Sequence, residues 1–284
     1  MNKYRLRTDL TKVWGDKTLR AIQALTDFGD VKKGDIGGYV ESAYNLSQEG
    51  TSWIYGDAVV FGDARVLHDA KVYDNAVVSG NACIFGSARV YDEAMVYGGA
   101  EVYGNARVSG NAIVSGKAEV SGKAEVYGEA KVYGEAEVSG KAEVYGEAKV
   151  SGEAEVSGKA EVYGEAKVSG EAEVYGEAKV SGKAEVYGNA RVSGNAIVSG
   201  KAEVCSDEDF YVSKNIWSSG RYFTYTRSNR MWKVGCFFGT GDELIAKAYK
   251  DSEVSGREYK RIVEYVEAMY AALDKDKEQS GTNL

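Results

Sequence analysis

Between Ile54 and Val204 an aliphatic residue occupies every sixth position, twenty-six times without a slip. Around each lies the frame V-[YS]-G-x-A-x, and the 18-residue blocks 138–155 and 156–173 are identical. A period of six is neither the 3.6 of an amphipathic helix nor the 3.5 of a coiled coil. It is the mark of a solenoid of short parallel strands, in which a small residue four places after each aliphatic one completes a narrow interior. Blocks of 18 imply three hexads per coil, so the pattern predicts a mainly β chain wound as a triangular parallel β-helix. Neighbouring side chains on a strand alternate, so the residues flanking each aliphatic position point outward. Glycine two places later makes the corner, because a sharp bend favours a positive φ that glycine adopts without a Cβ clash. With coils ~4.8 Å apart, nine of them give a rod on the order of 40 Å long.

The pattern stops at both ends, which divides the chain into a capping segment (1–35), the β-helix (36–206), a C-terminal module (207–273) and a flexible tail (274–284). In the first segment, Trp14-Gly15-Asp16-Lys17 reads as a hairpin turn between KYRLR and TLRAIQAL, although the second stretch also suits a helix. Val40, Leu46 and Ile54 are the first inward residues, and the two extra residues between Leu46 and Ile54 make a bulge at a corner. After Val204, DFYVSKNIW, RYFTYTR and MWKVGCFF read as a β-meander. Thr240-Gly-Asp-Glu243 and Ser255-Gly-Arg-Glu258 read as capping boxes opening two helices. The second helix would present Ile262, Val263, Val266, Met269, Tyr270 and Leu273 on one face. A small α+β domain of this kind would also cover the open end of the solenoid, otherwise an adhesive sheet edge.

Sorting outward positions by coil gives three columns. One is acidic: Glu101, Glu119, Glu137, Glu155 and Glu173. A second runs Val59, Val77, Met95, Ile113, then Lys131, Lys149, Lys167. The third runs Trp53, Lys71, Arg89, Arg107, then Glu125, Glu143, Glu161, with Tyr55, Tyr73, Tyr91 and later Tyr127, Tyr145, Tyr163 beside it. The acidic column reads as a solvated face, or alternatively as a mimic of a phosphate backbone. The tyrosines read as stacked aromatics that stabilise the sheet, or as a stacking platform for sugars or bases. Val59, Val77, Met95 and Ile113, beside Phe61 and Tyr97, form an apolar strip unusual for a solvated surface. Either the N-terminal hairpin or a second subunit should cover it.

Bulk properties narrow the function. The 284 residues carry a net charge of −8, which argues against affinity for duplex nucleic acid or anionic membranes. No apolar run approaches the roughly 18 residues needed to span a bilayer, and MNKYRLRTDL has no signal-peptide core. Three cysteines (Cys83, Cys205, Cys236) without metal-ligand spacing suggest reduced thiols in a cytoplasm. One histidine excludes a three-histidine metal centre, and no cofactor is expected. The C-terminal module offers the best binding surface. No acid lies between Asp209 and Asp242, while Arg221, Arg227 and Lys233 are interleaved with Trp217, Tyr225 and Trp232. Arginine beside aromatic faces suits a phosphate plus a base, hence a nucleotide or other anionic ligand, or a protein partner. The plainer alternative makes those aromatics the core of the meander.

Residues 25–66 resemble the start of bacterial and phage hexapeptide-repeat proteins often labelled acyltransferases. The likeness rests on the Gly37-Gly38 turn, the N-L-S-Q-E-G stretch at 45–50 and W-I-Y-G-D-A at 53–58. The tail from Trp217 through W-K-V-G-C-F-F-G-T resembles a small C-terminal module of phage and prophage proteins. The resemblance implies a left-handed winding, a trimer and a phage or prophage setting, and no established reaction. Hexapeptide acyltransferases use a histidine base at a cleft between subunits. Here that could only be His68, at a corner where glycine is usual and with no loop thrown out of the coils to build a pocket, so no catalytic residue is expected. Residues 102–119 and 186–203 are identical yet 84 apart, not a whole number of coils. The same sequence should therefore lie on different faces, which suits a scaffold better than a site. The expectation is a non-enzymatic accessory protein, presenting its C-terminal module and antagonising a host defence. An acyltransferase using His68 is the alternative, and a fibre or virion component comes third.

Overall fold

The computed structural model describes residues 2–217 and 220–280, with side chains up to residue 276. Twenty-six two-residue strands, from Trp53–Ile54 to Glu203–Val204, form about nine coils of ~18 residues. Strands 18 residues apart pair in parallel, as in Arg89↔Arg107 and Glu119↔Glu137, and give three sheets. Every hexad valine or isoleucine and every hexad alanine from Ile54 to Val204 is fully buried. Each aliphatic side chain contributes roughly 1.5–3 kcal/mol when buried, so three per coil sustain a core only two side chains wide. The corner glycines have positive φ, and a Cβ on Gly98 would meet the Gly116 carbonyl oxygen at 2.9 Å. Three of these corners are filled by His68, Asp74 and Asp92, also at positive φ.

The ladder has a direction. Each amide donates to the carbonyl one coil onward, as Trp53 does to Ala70 (3.2 Å) and Lys71 to Ala88 (3.0 Å). The first coil is therefore left with carbonyls lacking a coil partner, and the last with amides. Donors meet the first set. The Lys3 ammonium donates to the Ser52 carbonyl (3.0 Å), the Tyr4 hydroxyl to Leu46 (2.7 Å), and the Asn45 amide to Gly62 (2.8 Å) and Ala64 (2.9 Å). Acceptors meet the second. Asp207 Oδ1 takes the Arg191 amide (2.7 Å), Thr224 Oγ1 that of Ile197 (2.9 Å), and Ser228 Oγ that of Glu203 (2.7 Å), one for each sheet.

The N-terminal cap is the expected hairpin, β1 (Tyr4–Trp14) and β2 (Lys17–Ala24), turning at Gly15 with φ +61°. TLRAIQAL is thus strand rather than helix through Ala24. The hairpin joins the largest sheet through β3 (Ile36–Val40). Gly37 and Gly38 lie inside β3 and are not a turn. Glycine is needed there because a Cβ would sit 2.4 Å from the Ile54 carbonyl oxygen or 2.5 Å from that of Ala58. Trp53, placed outward by the column pattern, is buried beneath Phe28 (ring centroids 5.3 Å) and Tyr4 (6.2 Å). Leu46 bridges to Val66 and Ile54 pairs with Val72, so the two surplus residues do lie between them at a corner.

Lys3 is only 5% exposed, and burial brings its ammonium down to a pKa of about 8. In the folded chain it releases its proton below the unfolded value of 10.5, so the unfolded state binds more protons between pH 8 and 10.5. The Lys3 contribution to stability should therefore rise as pH increases from about 8 to 10, by ~2 kcal/mol on two units of titration. From about pH 9 the raised thiols of Cys83 and Cys205 work in the opposite direction. Above pH 10 Tyr4, whose phenol is pushed up to about 12 by burial, works in the opposite direction. Urea unfolding at stepped pH would show this rise, and Lys3→Met should remove it.

The C-terminal module is a meander, β4 to β7 for the numbering of its four strands (Phe210–Lys214, Tyr222–Thr226, Met231–Val234, Phe237–Gly239), followed by α1 (Gly241–Asp251) and α2 (Glu253–Ser280). MWKVGCFF is thus two strands around Gly235-Cys236 rather than one. Thr240 and Glu243 form the expected capping box. The second box is displaced: Ser252 Oγ takes the Ser255 amide (3.0 Å), and α2 starts at Glu253 with Ser255 already helical. Val263, Val266 and Tyr270 are buried as the helical period requires, with Ile262 and Met269 packed beside them, whereas Leu273 is exposed. Helix α2 continues to Ser280, past residue 274 where the flexible tail was expected to start. Residues 281–284 lie outside the described residues.

Candidate functional site

Pleating divides the meander into two faces. Phe223, Tyr225, Trp232 and Val234 point to the helices and form their core, while Phe210 and Val212 pack on the solenoid. Lys233 pairs with Thr224, the residue that caps Ile197, and so belongs to the solenoid side. The six residues expected to form one binding surface are therefore not brought together. Tyr225 and Trp232 are buried, and Trp232 donates its indole N–H to Glu267 (3.0 Å). Arg227 is held by Asp274 (Nε–Oδ1 2.9 Å) and lies over the Tyr270 ring at 6.0 Å. Trp217 is half-buried against Phe223 (6.4 Å), and Arg221 is exposed. For Tyr225 and Trp232 the plainer reading, aromatics as module core, is the one the packing shows.

A cavity of about 380 Å³ lies between the meander and the helices, lined by Tyr225, Arg227, Arg230, Asp242, Glu267, Tyr270 and Asp274 among others. Burial pushes the Tyr270 phenol up to about 12, and it raises Tyr225 as well. Asp274 raises the Arg227 guanidinium. A Cβ on Gly241 would fall 2.2 Å from Glu267 Oε1, so this carboxylate already lies against the N-terminus of α1, where a helix favours negative charge. Arg227 and the helix terminus are both served by the chain's own carboxylates. Its geometry clamps α2 onto the meander, and it presents no activated nucleophile.

His68 is exposed at its corner, with its ring edge-on to Phe85 (6.3 Å) and Nδ1 taking the Gly86 amide at 3.5 Å. It does not line the cleft between the meander and the helices. Among the described residues no group of three His, Cys, Asp or Glu side chains could hold a metal, and the three cysteines are free. The apolar strip is covered only at its first rung. Lys12 reaches the Asp57 carbonyl (3.0 Å) and lies over Tyr39, Trp14 meets Phe61 (6.4 Å), and Val59 is buried. Beyond it Val77 and Ile113 are half-buried, Met95 is 38% exposed and Tyr97 is exposed.

The outward columns stack as their spacing requires. Glu101 through Glu173 are in register and end on Arg191, which holds Glu173 (3.2 Å). Burial, then Glu119 and Glu155, raise the carboxyl of Glu137. Tyr127, Tyr145 and Tyr163 stack at 4.9 and 5.0 Å. Ion pairs sit where a column changes sign, as in Arg107–Glu125, Lys167–Glu185 and Lys179–Glu161. The duplicated segment falls on different faces: Arg107 lies in the nine-stranded sheet and Arg191 in the eight-stranded one.

That duplicated stretch is also where the chain matches a known family. A β-solenoid repeat protein is the class the coils define, and the YdcK beta solenoid repeat matches residues 100–116 and 184–200. Comparison with curated proteins found no match. No helix among the described residues is long and apolar enough to cross a membrane. The sequence reading missed Asp207, Thr224 and Ser228 as caps. For Thr224 the signal was present in the alternation of YFTYT, which turns it away from the aromatic core; Asp207 and Ser228 lie outside that pattern.

Proposed function

We propose that this β-solenoid repeat protein is a non-enzymatic scaffold, a rigid spacer whose specific contacts lie in its two ends. The observation that carries this reading is the placement of one sequence, 102–119 and 186–203, on different faces of the prism. A catalytic site needs fixed partners across a face, and sequence repeated out of phase supplies none. Acyl transfer with His68 as base is the competing activity. Incubation with acetyl-coenzyme A and small amine or hydroxyl acceptors should give no turnover, and turnover lost in His68→Ala would overturn the proposal. The recognition end takes in Ile216, which is 83% exposed, with Trp217 and Arg221 near it in sequence. A phage or prophage setting, and antagonism of a host defence by binding a protein or nucleotide in the bacterial cytoplasm, is supported by the resemblance of residues 25–66 and 217–240.

Self-association as a trimer accompanies this reading. Lys131, Lys149 and Lys167 stand on the same coils as Glu125, Glu143 and Glu161 of the adjoining face. A cyclic arrangement with parallel axes sets lysines of one copy opposite glutamates of the next. Light scattering should give three times the monomer mass at moderate salt, and Lys149→Glu should yield monomer. A monomeric parent would remove the trimer from the proposal.

A further inference from the structure

One column of the solenoid departs from its own rule. On the nine-stranded face, tyrosines one coil apart stack flat: Tyr55 on Tyr73 at 4.7 Å and 12°, Tyr127 on Tyr145 at 4.9 Å and 1°. Tyr73 and Tyr91 are related by the same step, since Val72 pairs with Val90. Among the described residues, however, no ring contact joins them. A groove of about 440 Å³ opens there instead, lined by Tyr73, Asp74, Arg89, Tyr91 and Arg107.

The charges around it are unevenly matched. Lys71, Arg89 and Arg107 are stacked directly in register. Lys71 is tied to Asp30, and Arg107 to Glu125 at 3.2 Å. Arg89, between them, has no ion pair among the described residues and is exposed. Asp74 lies at the rim, where its carboxylate accepts the Asp92 amide at 3.3 Å. An unneutralised guanidinium flanked by two cations and two phenol rings suits an anion attached to a flat ring. We propose that this groove binds a small planar anion, an aromatic ring carrying a phosphate or carboxylate, with the ring against Tyr73 or Tyr91 and the anion on Arg89.

The ligand is a free small molecule rather than a strand of nucleic acid. Beyond Arg107 the column turns to Glu125, Glu143 and Glu161, and before Arg89 the lysine is engaged. A polyanion following the column would meet three carboxylates at its next steps. The site also lies in coils that differ from one another in sequence, unlike the identical blocks at 138–173.

The column itself supplies substitutions that preserve the fold. Serine occupies the tyrosine position at Ser109, and glutamate the arginine position at Glu125. Calorimetric titration of the full chain with adenosine 5′-monophosphate should show saturable binding that weakens at least tenfold in Tyr91→Ser and in Arg89→Glu. Circular dichroism should show both variants folded as the parent. Adenosine and inorganic phosphate should each bind at least tenfold more weakly than the nucleotide. Absence of binding, equal affinity in folded Arg89→Glu, equal affinity for phosphate alone, or tighter binding of a six-nucleotide single strand would each overturn the proposal.

Discussion

A chain lacking residues 138–155 should fold and unfold within a few degrees of the parent, whereas one lacking only residues 138–140 should lose cooperative folding. The larger deletion removes one complete coil: the strand at Glu137 pairs with that at Glu155, and closing the gap joins Glu137 to Val156, the equivalent position of the strand one coil on. The smaller one deletes Val138 and the corner glycine Gly140, so one side of the prism cannot be spanned. At least the coil it belongs to must unravel, losing the burial of three valines, one of them deleted, worth roughly 5–9 kcal/mol. That is comparable with the entire stability of a typical domain, ~5–15 kcal/mol. Removing a single hexad, 138–143, is the informative intermediate. It should fold, because one sequence already occupies two faces, but it turns the C-terminal module one face round relative to the N-terminal half. Melting curves of the three chains decide the matter. A one-coil deletion that aggregates would count against interchangeable coils.

Asp207→Ala, Thr224→Val and Ser228→Ala combined should convert the protein into elongated, concentration-dependent assemblies. Each substitution removes the acceptor for one amide of the terminal coil, on each of the three sheets. Thr224 is the most buried of the three, and leaving its partner amide unpaired costs about 1–3 kcal/mol. The larger consequence is kinetic and geometric. Three parallel strands with free amides form a template for another edge. The opposite end bears free carbonyls once its own cap frays, so the two ends are complementary head to tail, and such contacts do not close. Sedimentation velocity across a tenfold concentration range should show growing species in the triple variant and a single species in the parent. A triple variant that stays at the parent's size would show that packing of the module, through residues such as Phe210 and Val212, closes the end unaided.

Much of this architecture was legible in the residue order because the interior is one-dimensional. A valine every six residues and an alanine four places later leave only one way to bury both, so strand positions, coil length and column register followed from counting. The hairpin at Gly15 and the Thr240–Glu243 cap were legible for the same local reason, since turn and cap chemistry spans four residues. The candidate binding surface was not. Arg227, Tyr225 and Trp232 are close in sequence, but Tyr225 and Trp232 point into the helical core, and Arg227 meets Asp274 on a helix 47 residues away. Composition shows neither fact. The break between Tyr73 and Tyr91 was equally hidden, because the spacing that stacks Tyr55 on Tyr73 predicts a continuous ladder.

The sequence by itself determined what repeats: the buried columns, the glycine corners and the charge blocks, each set by contacts between a residue and its copy 18 places along. Only the tertiary structure decided what happens where repetition ends. Ladder polarity leaves carbonyls at one terminus and amides at the other, and the groups that satisfy them, Lys3, Tyr4 and Asn45 against Asp207, Thr224 and Ser228, come from segments with no period. Long-range pairing of unlike segments leaves no trace in local pattern.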